Sequence, residues 1–325
     1  MSLKDDALGR LERAVERRRM SRWGRFFRYP CQTIRNSAVS RLSRLLPASV
    51  HFAKTAPMIT GDPLTLVWPS GSLDLWFYGA PVDCDAEIRL TRYLLRALNE
   101  NDVFFDLGAN LGYYSLLASR LVGNGGSVRA FEPSPPLVEI LKRNVGGRGN
   151  VRVVEKAVGD SAGPAEFYIA PTAFMGTSSL LRGWQERETK AVSVETIRLD
   201  DYCLSEGVVP QLIKVDVEGA EALVLKGARR LLSESRPRLA IEFVFGNREG
   251  CAPVLEMLEG MEYRPFAIRE DGGLERLGYE GIGRYFDSLR ERYAVVQDAV
   301  NDFDNLVFVW RETGIPEPPR APGRR

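Results

Sequence analysis

Five short apolar runs, most of them separated by helix-patterned stretches, constrain the fold of this chain more than any other feature. They are "VFFDL" (103–107), "VRAF" (128–131), "VRVV" (151–154), "LIKVDV" (212–217) and "LAIEF" (239–243). Stretches with a 3.6-residue apolar period lie at 113–122, 135–145 and 219–233. Continuously apolar strands are buried on both faces, and their alternation with amphipathic helices predicts a mostly parallel sheet covered on both sides. Two more strands are expected at 263–268 and at "NLVFVW" (305–310).

The flanking segments are patterned differently. Residues 64–78, "LTLVWPSGSLDLWFY", read as a β-hairpin around the turn sequence "PSGS". "DAEIRLTRYLLRAL" (85–98) reads as an amphipathic helix. "AEFYIA" and "AVSVETI", within 165–199, look like strands bracketing the loop "PTAFMGTSSLLRGW". A loop of that length is either functional or a variable surface insertion. The expected plan is a basic, largely helical extension (1–50), a hairpin and helix leading inward (51–100), an α/β domain (101–312) and a disordered tail (313–325).

The net charge of +1 conceals an asymmetry. Residues 1–50 hold twelve Lys and Arg against four Asp and Glu, a net +8, so the remaining 275 residues carry −7. In the extension Leu8, Leu11 and Val15 recur at helical spacing, and Ile34, Val39, Leu42 and Leu45 suit a second amphipathic stretch. Arginines mixed with Trp23, Phe26 and Phe27 suit an interfacial helix on anionic lipid. The other reading is a solvated helix, or a cap docked on the acidic domain.

The chemistry begins at "DLGANLGYYS" (106–115). A dinucleotide turn wants G-x-G-x-x-G, but only Gly108 is in register; Asn110 and Tyr113 take the other places and Gly112 is displaced. The helix after the turn still offers free N–H groups, which can meet a carboxylate as well as a phosphate. Asp106 would repel a pyrophosphate and suit an amino group. A ligand with both an ammonium and a carboxylate satisfies the pair, and S-adenosylmethionine is one. Glu132 lies 24 residues after Gly108 at the next strand tip, where an acid accepts hydrogen bonds from ribose hydroxyls. Asp160, in "KAVGD", is placed to accept from an adenine amino group. In "LIKVDVEGAEALVLKGA" (212–228), Lys214, Asp216 and Glu218 alternate along a strand and so share a side, with Glu221 close behind and Glu242 on the next strand. Charges in an apolar strand are costly unless used, and a salt bridge of Lys214 with a carboxylate is the structural alternative.

"VFFDLGANLGYYSLLAS", "VRAFEPSP", "VVEKAVGD", "GTSSL", "LDDY", "LIKVDVEGAEALVLKGA" and "RPRLAIEF" occur in that order. Together they resemble the FkbM-type family of S-adenosylmethionine-dependent methyltransferases over about residues 64–310. The resemblance implies a Rossmann-like class I fold, an α/β arrangement with a seven-stranded, mostly parallel sheet whose last strand is antiparallel. It implies a cofactor pocket from Asp106, Gly108, Asn110, Glu132 and Asp160, with Ala109 and Gly112 in the same turn and Asp216 where cofactor and acceptor meet. It also implies methylation of a hydroxyl on a sugar, glycolipid or natural product.

The rest of the composition narrows the chemistry. His51, the single histidine, lies outside the patterned core, which removes a Ser-His-Asp triad and multi-histidine metal sites. A carboxylate is therefore the expected base, with Asp216 and Glu218 first and Glu242 third. No metal is required, although Asp216, Glu218 and Glu221 are of a type that ligates Mg²⁺. Cys31, Cys84, Cys203 and Cys251 have neither metal-ligand nor disulfide-framework spacing, which fits a reducing cytoplasm, with peripheral contact at the inner membrane face if the basic segment binds lipid. The competing readings are a partner-binding protein on a degenerate methyltransferase fold and a nicotinamide-dependent oxidoreductase. A nucleic-acid substrate is not expected, because the core is acidic and has no N-P-P-Y-type strand end.

Overall fold

The computed structural model describes residues 2–29, 33–34, 52–68, 73–170, 178–181, 189–244, 248–294 and 303–310. His51, Cys31, the stretch from 35 to 50, most of the 171–188 loop and the tail lie outside the described residues.

Helix α1 (Leu3–Arg19) starts at a capping box, with Ser2 Oγ accepting from the Asp5 amide and Asp5 accepting from the Ser2 amide. Asp5 and Asp6 in its first turn and Arg17, Arg18 and Arg19 in its last complement the helix dipole. Its apolar stripe of Ala7, Leu11, Ala14 and Val15 is buried against the domain, so α1 is a docked cap. Helix α2 (Arg22–Arg28) follows.

Strands β1 (Phe52–Pro57) and β2 (Pro63–Trp68) form an antiparallel hairpin in which Pro57 pairs with Pro63. This corrects the hairpin expected at 64–78. Its second apolar run is instead helix α3 (Leu73–Tyr78), which buries Trp76. A six-residue apolar run has no period that separates strand from helix, and β2 takes its partner from the less apolar segment before it. Helix α4 (Asp85–Ala97) matches the expected amphipathic helix.

The domain then runs β3 (Val103–Leu107), α5 (Tyr113–Val122), β4 (Ser127–Phe131), α6 (Pro135–Val145) and β5 (Val151–Val154). Strands β6 (Ala157–Val158), β7 (Gly163–Ile169) and β8 (Lys190–Ile197) make a separate three-stranded sheet in the order β6-β8-β7. Next come α7 (Leu199–Glu206), β9 (Leu212–Val215), α8 (Glu221–Lys226), α9 (Arg229–Glu234) and β10 (Arg238–Val244). The chain closes with α10 (Arg248–Gly260), β11 (Tyr263–Ile268), β12 (Leu274–Arg276), α11 (Tyr279–Ala294) and β13 (Phe303–Trp310).

Among the described residues the main sheet has eight strands in the order β12-β11-β13-β10-β9-β3-β4-β5. Strand β13 is antiparallel to both neighbours, as expected for the last strand. The eighth strand is β12, a three-residue edge strand antiparallel to β11. Alternation along β3 sends Phe104 to the core on one face, with α4, α5 and α6, and Phe105 to the core on the other. The helix expected over 219–233 is broken at Gly227, where a Cβ would lie 2.0 Å from the Gly159 carbonyl oxygen. No helix among the described residues is long and apolar enough to cross a membrane.

Candidate active site at the carboxyl ends of the central strands

The turn after β3 presses against the end of β9. Gly108 has φ 78°, and a Cβ there would lie 1.8 Å from the Asp216 carbonyl oxygen, so only glycine fits. Its amide and that of Ala109 donate to the Phe131 carbonyl at 3.0 and 2.9 Å. Asn110 is also left-handed, a conformation that Asn tolerates. The Asn110 amide donates to Glu132 Oε2 and the Ser134 amide to Oε1, each at 2.9 Å. Glu132 is thereby fixed just past the tip of β4 with a lone pair left on each oxygen. Burial lifts its carboxyl to about 7 against those two amide bonds.

Two cavities meet at this turn. One lies between Glu132, Leu137, Ala157, Val158, Phe167 and Leu180. The other is walled by Leu75, Asp83, Glu87, Tyr113, Tyr114 and Lys214. Gly108, Asn110 and Asp216 line both.

A buried charge network underlies the second cavity. Lys214 Nζ donates to Asp216 Oδ2 at 2.7 Å, lies 3.9 Å from Asp106 Oδ1 and sits 5.3 Å from the centre of the Tyr114 ring. Burial opposes its charge, but Asp216, Asp106 and Glu87 outweigh burial and raise the ammonium above its ordinary value. Tyr114 donates to Glu87 Oε2 at 2.6 Å.

At the far side of Asp216, strand β9 ends at Val215, so the shared side expected from alternation stops short of Asp216 and Glu218. A turn with Glu218 at φ 54° brings them together instead. One carboxylate oxygen each from Asp216, Glu218 and Glu242 lies within 4.8 Å of the others. These are the three carboxylates expected to supply the base. Burial, then Asp216 and Glu218, pushes the Glu242 carboxyl well above the usual range. Glu221, grouped with Asp216 and Glu218 as Mg²⁺-type ligands in the sequence reading, instead turns to its own backbone and accepts from the Gly219 amide at 3.1 Å.

The remaining expected cofactor residues divide. Gly108, Asn110, Glu132 and Asp216 line the first cavity, while Ala109 lines only the second. Asp106 lines neither: it is fully buried, accepts from Ser115 Oγ at 2.6 Å and faces Lys214. Gly112 and the exposed Asp160 also lie off both walls. In place of Asp160, the first cavity is lined by the residues just before it, Lys156, Ala157 and Val158. Sequence reasoning missed Glu87 and Tyr114. The apolar stripe of α4 was legible, but the stripe does not say which polar residue of that helix faces a cavity.

The residues fit S-adenosylmethionine: a turn with no Cβ, a fixed carboxylate for ribose hydroxyls, and an apolar slot flanked by Leu137 and Val158 for a purine. Strand order, the antiparallel β13 and this strand-tip site define the Rossmann-like class I methyltransferases, which use S-adenosylmethionine. Within that class the chain belongs to the methyltransferase FkbM domain family, whose sequence pattern matches residues 106–279. It is 32% identical over 152 residues to the hexuronic acid methyltransferase AglP of Haloferax volcanii, covering 46% of this chain and 59% of that one. It is 30% identical over 158 residues to the 31-O-demethyl-FK506 methyltransferase FkbM of Streptomyces tacrolimicus, covering 40% and 60%. The chain thus spans under two thirds of either relative. A solved FkbM methyltransferase from Methylobacillus flagellatus KT aligns over 73% of this chain and 54% of its own, at 15% identity and a TM-score of 0.41.

Proposed function

We propose that the protein methylates a hydroxyl of a sugar, glycolipid or natural-product acceptor, using S-adenosylmethionine and a carboxylate base. The observation that carries this reading is the convergence of Asp216, Glu218 and Glu242 beside the cofactor cavity, in a domain with no histidine among its described residues. One relative is named for a hexuronic acid and another for the 31-O position of FK506, which supports a sugar or natural-product hydroxyl.

S-adenosylmethionine supplies a methyl group already activated by its sulfonium. The chain's own work is therefore orientation and proton removal. Glu132 accepts from the ribose hydroxyls, and Glu87, on the wall of the second cavity, is the acceptor for the ammonium that the sequence reading gave to Asp106. Asp216 or Glu218 takes the acceptor's hydroxyl proton as the oxygen–carbon bond forms. Glu242, whose carboxyl burial and then Asp216 and Glu218 hold well above its ordinary range, stands third to these two. Cys84, Cys203 and Cys251 are free thiols, which accords with a reducing compartment, the cytoplasm.

The test uses calorimetry and a transfer assay. S-adenosylmethionine should saturate the protein while NAD does not. Labelled methyl transfer into glycan and lipid extracts from cells lacking the gene should fall about 100-fold or more in Asp216→Asn, with cofactor binding retained. Saturation by NAD alone removes the methyltransferase reading. Full transfer by Asp216→Asn removes Asp216 as the base.

A further inference from the structure

The basic segment divides into two parts with opposite fates. Helix α1 spends its apolar stripe on the domain and its last arginines on α3 and α4: Arg18 pairs with Asp74 at 3.0 Å and Arg19 with Asp85 at 3.2 Å. Helix α2 does the reverse. Trp23, Phe26 and Phe27 are 72%, 39% and 77% exposed, and Phe27 and Trp23 are the two most exposed large apolar side chains among the described residues. Positions i, i+3 and i+4 put the three on one helix face. Their rings touch, with centroids 6.4, 6.3 and 5.9 Å apart, so they present one continuous apolar patch. Along the sequence the segment is basic: residues 17–50 contain nine arginines and no Asp or Glu.

We propose that α2 is a membrane-docking element that inserts the Trp23–Phe26–Phe27 patch into the interface of an anionic bilayer, with the surrounding arginines on its headgroups. The patch is too small for a stable protein partner. Three aromatic side chains bury about 150–250 Å² each, which falls short of the roughly 800 Å² per partner of a standard interface. A nucleic acid would need open ring faces for its bases, whereas Trp23 and Phe27 stack on each other with planes 28° apart. A fluid bilayer needs only an apolar wedge and positive charge, both of which α2 offers. A line of ion pairs runs from α2 toward the site. Arg28 lies 3.7 Å from Glu16 of α1, and α1 is fastened to α3 and α4, which supply Leu75 and Glu87 to the second cavity. Docking itself does not depend on the methyl-transfer reading.

The experiment is co-sedimentation of the full chain with phosphatidylcholine vesicles, with and without phosphatidylglycerol, in low and high salt. The full chain should partition onto the phosphatidylglycerol vesicles alone, and less in high salt. The double substitution Trp23→Ala/Phe27→Ala should lower partitioning about tenfold or more. Phe27→Glu, at the most exposed of the three positions, should do the same while leaving the melting temperature and calorimetric cofactor binding unchanged. Vesicle binding that survives both variants, or its absence in the unsubstituted chain, overturns the proposal. A dimer of the unsubstituted chain that the variants dissociate, without vesicle binding, overturns it in favour of a second copy as the occupant.

Discussion

Glu132 shows how much one side chain carries. Its place past a strand tip and its offset from Gly108 were legible in the sequence, but its proton affinity was not. That depends on burial, set against the two amides that hold its oxygens. Its folded-state pKa of about 7 lies above the ordinary 4.5. Glu132 therefore costs the fold nothing below that ordinary value and destabilises it increasingly as pH rises toward 7. On the proposed ribose contact, ligand binding should have the opposite slope, because the ionised carboxylate is the stronger acceptor. The dissociation constant for S-adenosylmethionine, measured by calorimetry, should rise as pH falls from about 8 to about 6. Glu132→Gln should weaken binding about tenfold and flatten that dependence. Asp106 makes the complementary point. Its residue type suited an ammonium, yet the fold buries it against Ser115 and Lys214, off both cavity walls.

Among the elements, those with a clear period were readable and those without it were not. The amphipathic stretches at 113–122 and 135–145 became α5 and α6 with the same boundaries. The six-residue run of α3 was misread because too few turns exist to show a period. Helix α1 was recognisable as a helix, but only the fold shows that its stripe is spent on the domain. The clamp is Glu12, which accepts from Arg92 Nε and Nη2 at 2.7 Å each. Arg92 is buried and keeps a 2.6 Å bond to the Glu270 carbonyl, so Glu12→Ala should cost about 1–2 kcal/mol. Thermal unfolding would measure it, and an unchanged midpoint would show that the Glu12–Arg92 clamp does not help to hold α1.

Across the whole molecule, α4 is tied to the antiparallel end of the sheet by one buried ion pair. Arg89 Nη2 lies 2.9 Å from Asp304 Oδ1, and Arg89 Nη1 also donates to the Ile268 carbonyl at 3.0 Å. Both side chains are buried, so Arg89→Met leaves an unpaired carboxylate and should cost about 3–5 kcal/mol in denaturant unfolding. Adding Asp304→Leu should recover part of that loss, because the stranded charge goes with it. A double substitution no more stable than Arg89→Met would mean that the pair contributes through geometry instead of charge.

The order of apolar runs, the turn without a third glycine and the acids at strand tips were enough to determine the class of fold and to point to S-adenosylmethionine, while the family was legible only in the resemblance of whole motifs. Those features are local, and each obeys a rule of chain sterics or strand geometry that neighbouring residues enforce. Only the tertiary structure decided which acids face a cavity and which lie beneath it. It also gathered Asp216, Glu218 and Glu242 into one cluster, buried α1 and left α2 bare. Burial and through-space charge depend on residues far apart in the chain, and no local pattern encodes them.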